Sequence, residues 1–233
     1  MRKPITAIVV SVLLALAAAP TAVAEPGDPS GSPSRTFVFR TRVAGLVAQA
    51  TWTTCPSPTV GDVCADTIVF AFDTKDRSDH ERSRTPVLRI LTFVYRVVDD
   101  EEFPTAPVAE WLGRLEGGQV EGRPRLEEAS AEGVIPIQIC TIFDPQSGLA
   151  CPESVDVSVA WTAVGPLQRI DDHTIRRDRF GHVNIRMENV WTRGWQRDAT
   201  ASGTVDGQVP GTLLDAELAR VDQGEIIVQH PLP

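Results

Sequence analysis

Lysine is nearly missing from this chain of 233 residues. Of its 22 basic side chains only Lys3 and Lys75 are lysine, so arginine carries the positive charge. Acidic residues outnumber basic ones and the formal charge is −9, which argues against nucleic acid as a partner, because phosphate binding needs clustered positive charge to release counterions. No G-x-S-x-G elbow, H-E-x-x-H, P-loop, G-x-G-x-x-G or EF-hand spacing occurs, so no metal or cofactor is expected. No apolar run reaches the roughly 20 residues of a membrane helix. The longest, Ile5 to Ala19, follows Arg2-Lys3 and precedes Ala22-Val23-Ala24. That order of basic, apolar and small residues reads as a signal peptide cleaved after Ala24. Its removal deletes Arg2 and Lys3 and no acidic residue, moving the formal charge from −9 to −11. A secreted or cell-envelope-associated bacterial protein is the expectation.

Glu25 to Arg35 (EPGDPSGSPSR) has no apolar residue to offset the entropy of ordering it, and reads as a disordered leader before one β domain spanning 36–233. From Thr36 onward the dominant period is two. Leu46, Ala48, Ala50 and Trp52 share a face, as do Ile68, Phe70 and Phe72, and Val155, Val157, Val159 and Trp161. Val87 to Val98 is apolar on both faces, apart from Arg89 and Arg96, and reads as a central strand. The predicted class is all-β, an antiparallel sandwich or barrel-like fold of about nine to twelve short strands. Two short helices are predicted, one from Val108, Trp111, Leu112 and Leu115 and one from Leu214, Leu218 and Val221, each at helical spacing. Residues 119–133 suit a poor strand or a loop. A faint echo between Leu46 to Val98 and Val134 to Trp191 raises a two-half pseudo-repeat.

Cys55 and Cys64 flank a run rich in proline and glycine, and Cys140 and Cys151 flank Asp144-Pro145-Gln146-Ser147-Gly148. Turn chemistry between each pair predicts local bridges, Cys55 with Cys64 and Cys140 with Cys151, closing two hairpin loops. The spacings are too wide for a zinc module.

His80 and His173 sit among aspartates and arginines, and both clusters read as solvated loops between strands. A Ca²⁺ site at Asp73, Asp76 and Asp79 is the weaker alternative. Gln168 to Arg197 departs from the acidic whole, with seven arginines against four acids. Within it Trp191, Arg193 and Trp195 would share one face of an extended chain, the spacing at which guanidinium groups stack on indole. With Arg197 they form the candidate ligand-binding set, suited to an anionic wall polymer or glycan. Against this stands a plain reading, in which Trp191 continues the core face of Val183, Ile185 and Met187. The functional expectation is a non-enzymatic binding module. The alternatives are a hydrolase with loop-borne acid and base residues, and a carrier whose barrel interior is lined by Phe70, Phe72, Phe93 and Tyr95.

Overall fold

The computed structural model describes residues 37–77, 82–99, 105–180 and 184–231. Among them ten strands form one antiparallel sheet: β1 (Phe37–Thr53), β2 (Val63–Arg77), β3 (Arg82–Val97), β4 (Thr105–Glu116), β5 (Gln119–Gly122), β6 (Glu128–Ile142), β7 (Ser154–Ala163), β8 (Gln168–Phe180), β9 (Asn184–Val205) and β10 (Thr212–Pro231). β10 pairs with β1 on one edge and with β9 on the other, which closes the circuit β1-β2-β3-β4-β6-β7-β9-β10. The sheet is therefore a barrel. β5 prolongs β4 along the same edge of β6, and β8 prolongs β7 along the same edge of β9. Each step between sequential neighbours in this circuit is an antiparallel connection, the arrangement that closure favours because it removes exposed strand edges.

The alternation read from the sequence sets which side faces inward. Leu46, Ala48, Ala50 and Trp52 of β1 meet Val69 and Ala71 of β2, Leu88 and Ile90 of β3, Val155, Val157, Val159 and Trp161 of β7 and Leu218 of β10 in one buried cluster. Trp52 and Trp161 are 2% and 1% exposed, and the Trp161 indole donates to the Gln49 carbonyl at 2.8 Å. Burial of an indole demands such a partner for its N–H. Val87 is buried on the opposite face from Leu88 and Ile90, as expected of a strand that is apolar on both faces. The stacked rings of Phe70 and Phe72 lie on that outer face too, alternating with Val69 and Ala71.

Both predicted helices are strands. Val108 to Leu115 lies in β4, hydrogen-bonded to β3 and β6, and the register shift opposite Val94/Tyr95 leaves Val108 as an extra residue that breaks the alternation at its start. Leu214, Leu218 and Val221 belong to β10, where Leu218 joins the core and Leu214 is exposed. A strand with a neighbour on each side gains two ladders of backbone hydrogen bonds, and tertiary pairing overrides a short local pattern. The loop reading around His173 is corrected as well. Gln168–Phe180 is strand β8, with His173 Nε2 2.7 Å from Asn189 Oδ1. Asp73 likewise lies in β2, not in a loop; His80 and Asp79 fall outside the described residues.

Residues 119–133 form β5, a turn and the start of β6. Leu126 in that turn has φ of 57° and is 2% exposed, so a strained left-handed backbone carries an apolar side chain into the core cluster. Both predicted disulfides are present, Cys55–Cys64 and Cys140–Cys151, and both close loops at the same end of the barrel.

Candidate functional site

At the level of Leu46, β5, β6 and β7 give way to turns, whereas β8, β9, β10, β1, β2 and β3 run on. The inner face of this six-stranded extension continues the core positions, and its residues change from apolar to charged. Leu46 and Gly122 lie at the base. Above them Asp73, Lys75, Arg84, Arg193, Trp195, Arg220 and Asp222 line an open basin of about 440 Å³. A Cβ on Gly122 would lie 2.3 Å from Leu46 Cδ2, so glycine there lets the β5 backbone close down on the core.

Gly194 on β9, Val221 on β10 and Gly45 on β1 form one cross-strand row. A Cβ would stand 2.1 Å from the Asp73 carbonyl oxygen at Gly45 and 2.0 Å from the Arg220 carbonyl oxygen at Gly194. No other residue type fits such an approach without moving backbone.

Four of the basin's charges are consumed in pairs or lean on one. Arg84 donates through Nε and Nη2 to both carboxylate oxygens of Asp73, at 2.7 and 2.6 Å. Arg42 clasps Asp222 in the same two-pronged manner. The Arg84 hydrogen bonds hold the Asp73 carboxyl below the usual carboxylate range, with help from the charges of Lys75 and Arg220. Arg193 leans toward Asp171 on β8 with Nε at 3.5 Å, and its side chain is 69% exposed. Lys75 and Arg220 enter no hydrogen bond or close ion pair among the described residues. The basin thus presents Lys75, Arg193 and Arg220 to solvent beside the indole of Trp195, which is 47% exposed and is the register partner of Arg220.

The four sequence-derived site residues divide. Arg193 and Trp195 line the basin. Trp191 shares their face one row further on and lies against Gly224, its register partner, where an added Cβ would meet the indole at 2.0 Å. Arg197 instead donates from Nε to the Gly165 carbonyl at 3.0 Å, closing the break between β7 and β8. Lys75, Arg84 and Arg220 were not anticipated. The alternation of β2 and β10 contained the signal, since Asp73 and Lys75 continue the parity of Val69 and Ala71, and Arg220 that of Leu218. What the alternation could not supply is which strands outrun the core.

Glu217 lies on the opposite, outer face. Burial there, with Asp215 and Asp198 adding negative charge, pushes its carboxyl up to about 7. Phe70, Phe72, Phe93 and Tyr95 also occupy outer positions, alternating with the core residues of β2 and β3.

Comparison with known proteins finds no matching protein family and no similar curated sequence.

Proposed function

We propose that this is an exported, non-catalytic binding protein whose basin takes an anionic ligand of the acidic-glycan or wall-polymer class. The observation that carries the reading is the convergence of Lys75, Arg193 and Arg220, none tied into a two-pronged pair, around the half-exposed indole of Trp195 on a preformed sheet wall. Guanidinium groups fork onto carboxylate or phosphate and desolvate more readily than ammonium, and an indole face suits a sugar ring or an apolar stem beside the charge. Binding is favoured over acid–base chemistry because both carboxylates in the basin are locked in two-pronged arginine pairs. A general acid needs a carboxyl pushed upward, and Glu217, which has that property, is on the other face. The carrier alternative called for Phe70, Phe72, Phe93 and Tyr95 to line the interior, a space taken by Trp52, Trp161 and their aliphatic neighbours. Export rests on the basic, apolar and small-residue pattern of residues 1–24 and accords with two disulfides.

Calorimetric titration with oligogalacturonate, a neutral oligosaccharide serving as control, tests the reading. Affinity should fall as salt rises, because open charges are screened within about 8 Å at physiological ionic strength. Arg193→Ala and Arg220→Ala should each weaken binding about tenfold while leaving the melting temperature unchanged. Equal affinity for the neutral sugar, or unaltered binding in both variants, would sink it.

A further inference from the structure

The disulfide end of the barrel carries a second concavity of different chemistry. It is an outer groove of about 590 Å³ between the ends of β3 and β4, and its lining includes Pro58, Phe93, Tyr95, Pro107 and Phe143 together with Asp66 and Glu110. Asp66, Phe93 and Glu110 are register partners on three adjacent strands. Adjacent strands are about 4.8 Å apart and directly paired residues share a face, so the Phe93 ring stands between two carboxylates. The next row along places Tyr95 opposite Pro107. Phe93 and Phe143 are 39% and 48% exposed.

Among the described residues no arginine or lysine lines this groove. Arg96, on β3 nearby, is engaged with Asp144 at 3.4 Å. The Tyr95 hydroxyl donates to Asp66 Oδ1 at 3.4 Å, and Glu110 has no hydrogen bond or ion pair among the described residues. Burial, and then the Asp66 charge, raise the Tyr95 hydroxyl above its ordinary value.

The walls are built rather than incidental. Pro58 stands in the loop closed by Cys55–Cys64, which is bound to the end of β3 by Gly61 N–H to the Val97 carbonyl at 2.8 Å and Val97 N–H to the Asp62 carbonyl at 2.9 Å. Phe143 stands in the loop closed by Cys140–Cys151, bound to β4 by Phe143 N–H to the Val108 carbonyl at 2.9 Å. Each disulfide loop thus fixes one wall, and a groove held open in advance spares its ligand the cost of ordering it.

We propose that this groove binds an extended basic peptide, with one arginine or lysine side chain lying over Phe93 between Asp66 and Glu110. An aromatic face with a carboxylate on either side is the combination that holds an organic cation, through the ring quadrupole and two charge-assisted contacts. The Tyr95–Pro107 row, Pro58 and Phe143 continue as an apolar track suited to the residues flanking that cation, as in proline-rich peptide recognition. A small cation alone would leave that track in water. The site uses none of the basin's groups and stands independently of the function proposed for it.

Fluorescence anisotropy with a labelled peptide carrying one arginine between two prolines tests the proposal, with the citrulline version of the same peptide as the uncharged control. The arginine peptide should bind saturably, and citrulline should cost about tenfold. Asp66→Asn combined with Glu110→Gln should cost about tenfold, and Phe93→Leu, which keeps the apolar volume, about threefold. Thermal melts of both variants establish that they are folded. Arg193→Ala should bind the peptide normally, which separates this test from that of the basin. Equal affinity for the citrulline peptide, or unchanged binding in the folded variants, overturns the proposal. Free arginine amide or tetramethylammonium binding as tightly as the peptide overturns it also, since the flanking track would then contribute nothing.

Discussion

At one end of the barrel two disulfide loops are tied by backbone hydrogen bonds to the ends of β3 and β4; at the other, six strands run on past the core with no cysteine near them. The first end presents carboxylates around an aromatic ring, the second arginines around an indole. The same strands supply both surfaces: β3 contributes Phe93 and Tyr95 to the groove and Arg84 to the basin. What differs is the face. The groove lies on the outer side of the sheet, whereas the basin lies on the inner side, where parity would have demanded apolar residues had the barrel stayed closed. Relief from the core is what permits charge there.

The largest expected effect comes from removing what separates the two ends. Trp161→Ala deletes a fully buried indole together with its hydrogen bond to the Gln49 carbonyl, and should cost about 4 kcal/mol. Denaturant melts should show both ends failing in one transition; a separate transition for the basin strands would break the picture of a shared core.

Replacing Cys140 and Cys151 with serine should cost about 3 kcal/mol in the chain-entropy view of a loop this short. The loss should be local in function, weakening the arginine peptide in the groove while oligogalacturonate binding in the basin persists in protein that remains folded. Equal damage to both would show that the ends are not independent.

A smaller effect concerns the partly buried carboxyl of Glu217 on the outer face. Glu217 keeps its proton up to about 7 in the fold, whereas an ordinary glutamate releases it near 4.5. Between those values the native state binds the extra proton, so this group's contribution to stability is complete below about 4.5 and is lost as pH rises through about 7. Glu217→Gln should therefore stabilise the protein at pH 8 by about 2 kcal/mol and flatten that part of the profile. Asp73 in the basin runs the opposite way: its carboxyl is lowered by Arg84, so its contribution is present above the ordinary value of 3.8 and declines as pH falls below it. Thermal melts from pH 2 to 8 distinguish the two signs, the Asp73 loss appearing below 3.8 and the Glu217 loss between 4.5 and about 7.

Residue order alone decided the alternation that makes the core, because a pleated strand must turn successive side chains to opposite faces. It also decided the two disulfide loops, whose turn-forming residues bring each cysteine pair together locally, and the common face of Trp191, Arg193 and Trp195, which any extended conformation shares. Tertiary structure decided the rest. Val108 to Leu115 and Leu214 to Val221 lie in strands because neighbours pair on both edges between Ala109 and Gly113 and from Glu217 onward, a fact absent from any local window. Leu126, in the polar run Arg123-Pro124-Arg125-Leu126-Glu127-Glu128, enters the core through the left-handed turn between β5 and β6, which the barrel packing holds in place. Asp66, Phe93 and Glu110 lie far apart along the chain and became one row when three strands took their register. Arg197 and Arg193 differ by four residues and share a parity, yet one closes a break in the sheet while the other faces solvent. That division follows from where each neighbouring strand stops, and a strand's stopping point is set by the packing of the whole barrel.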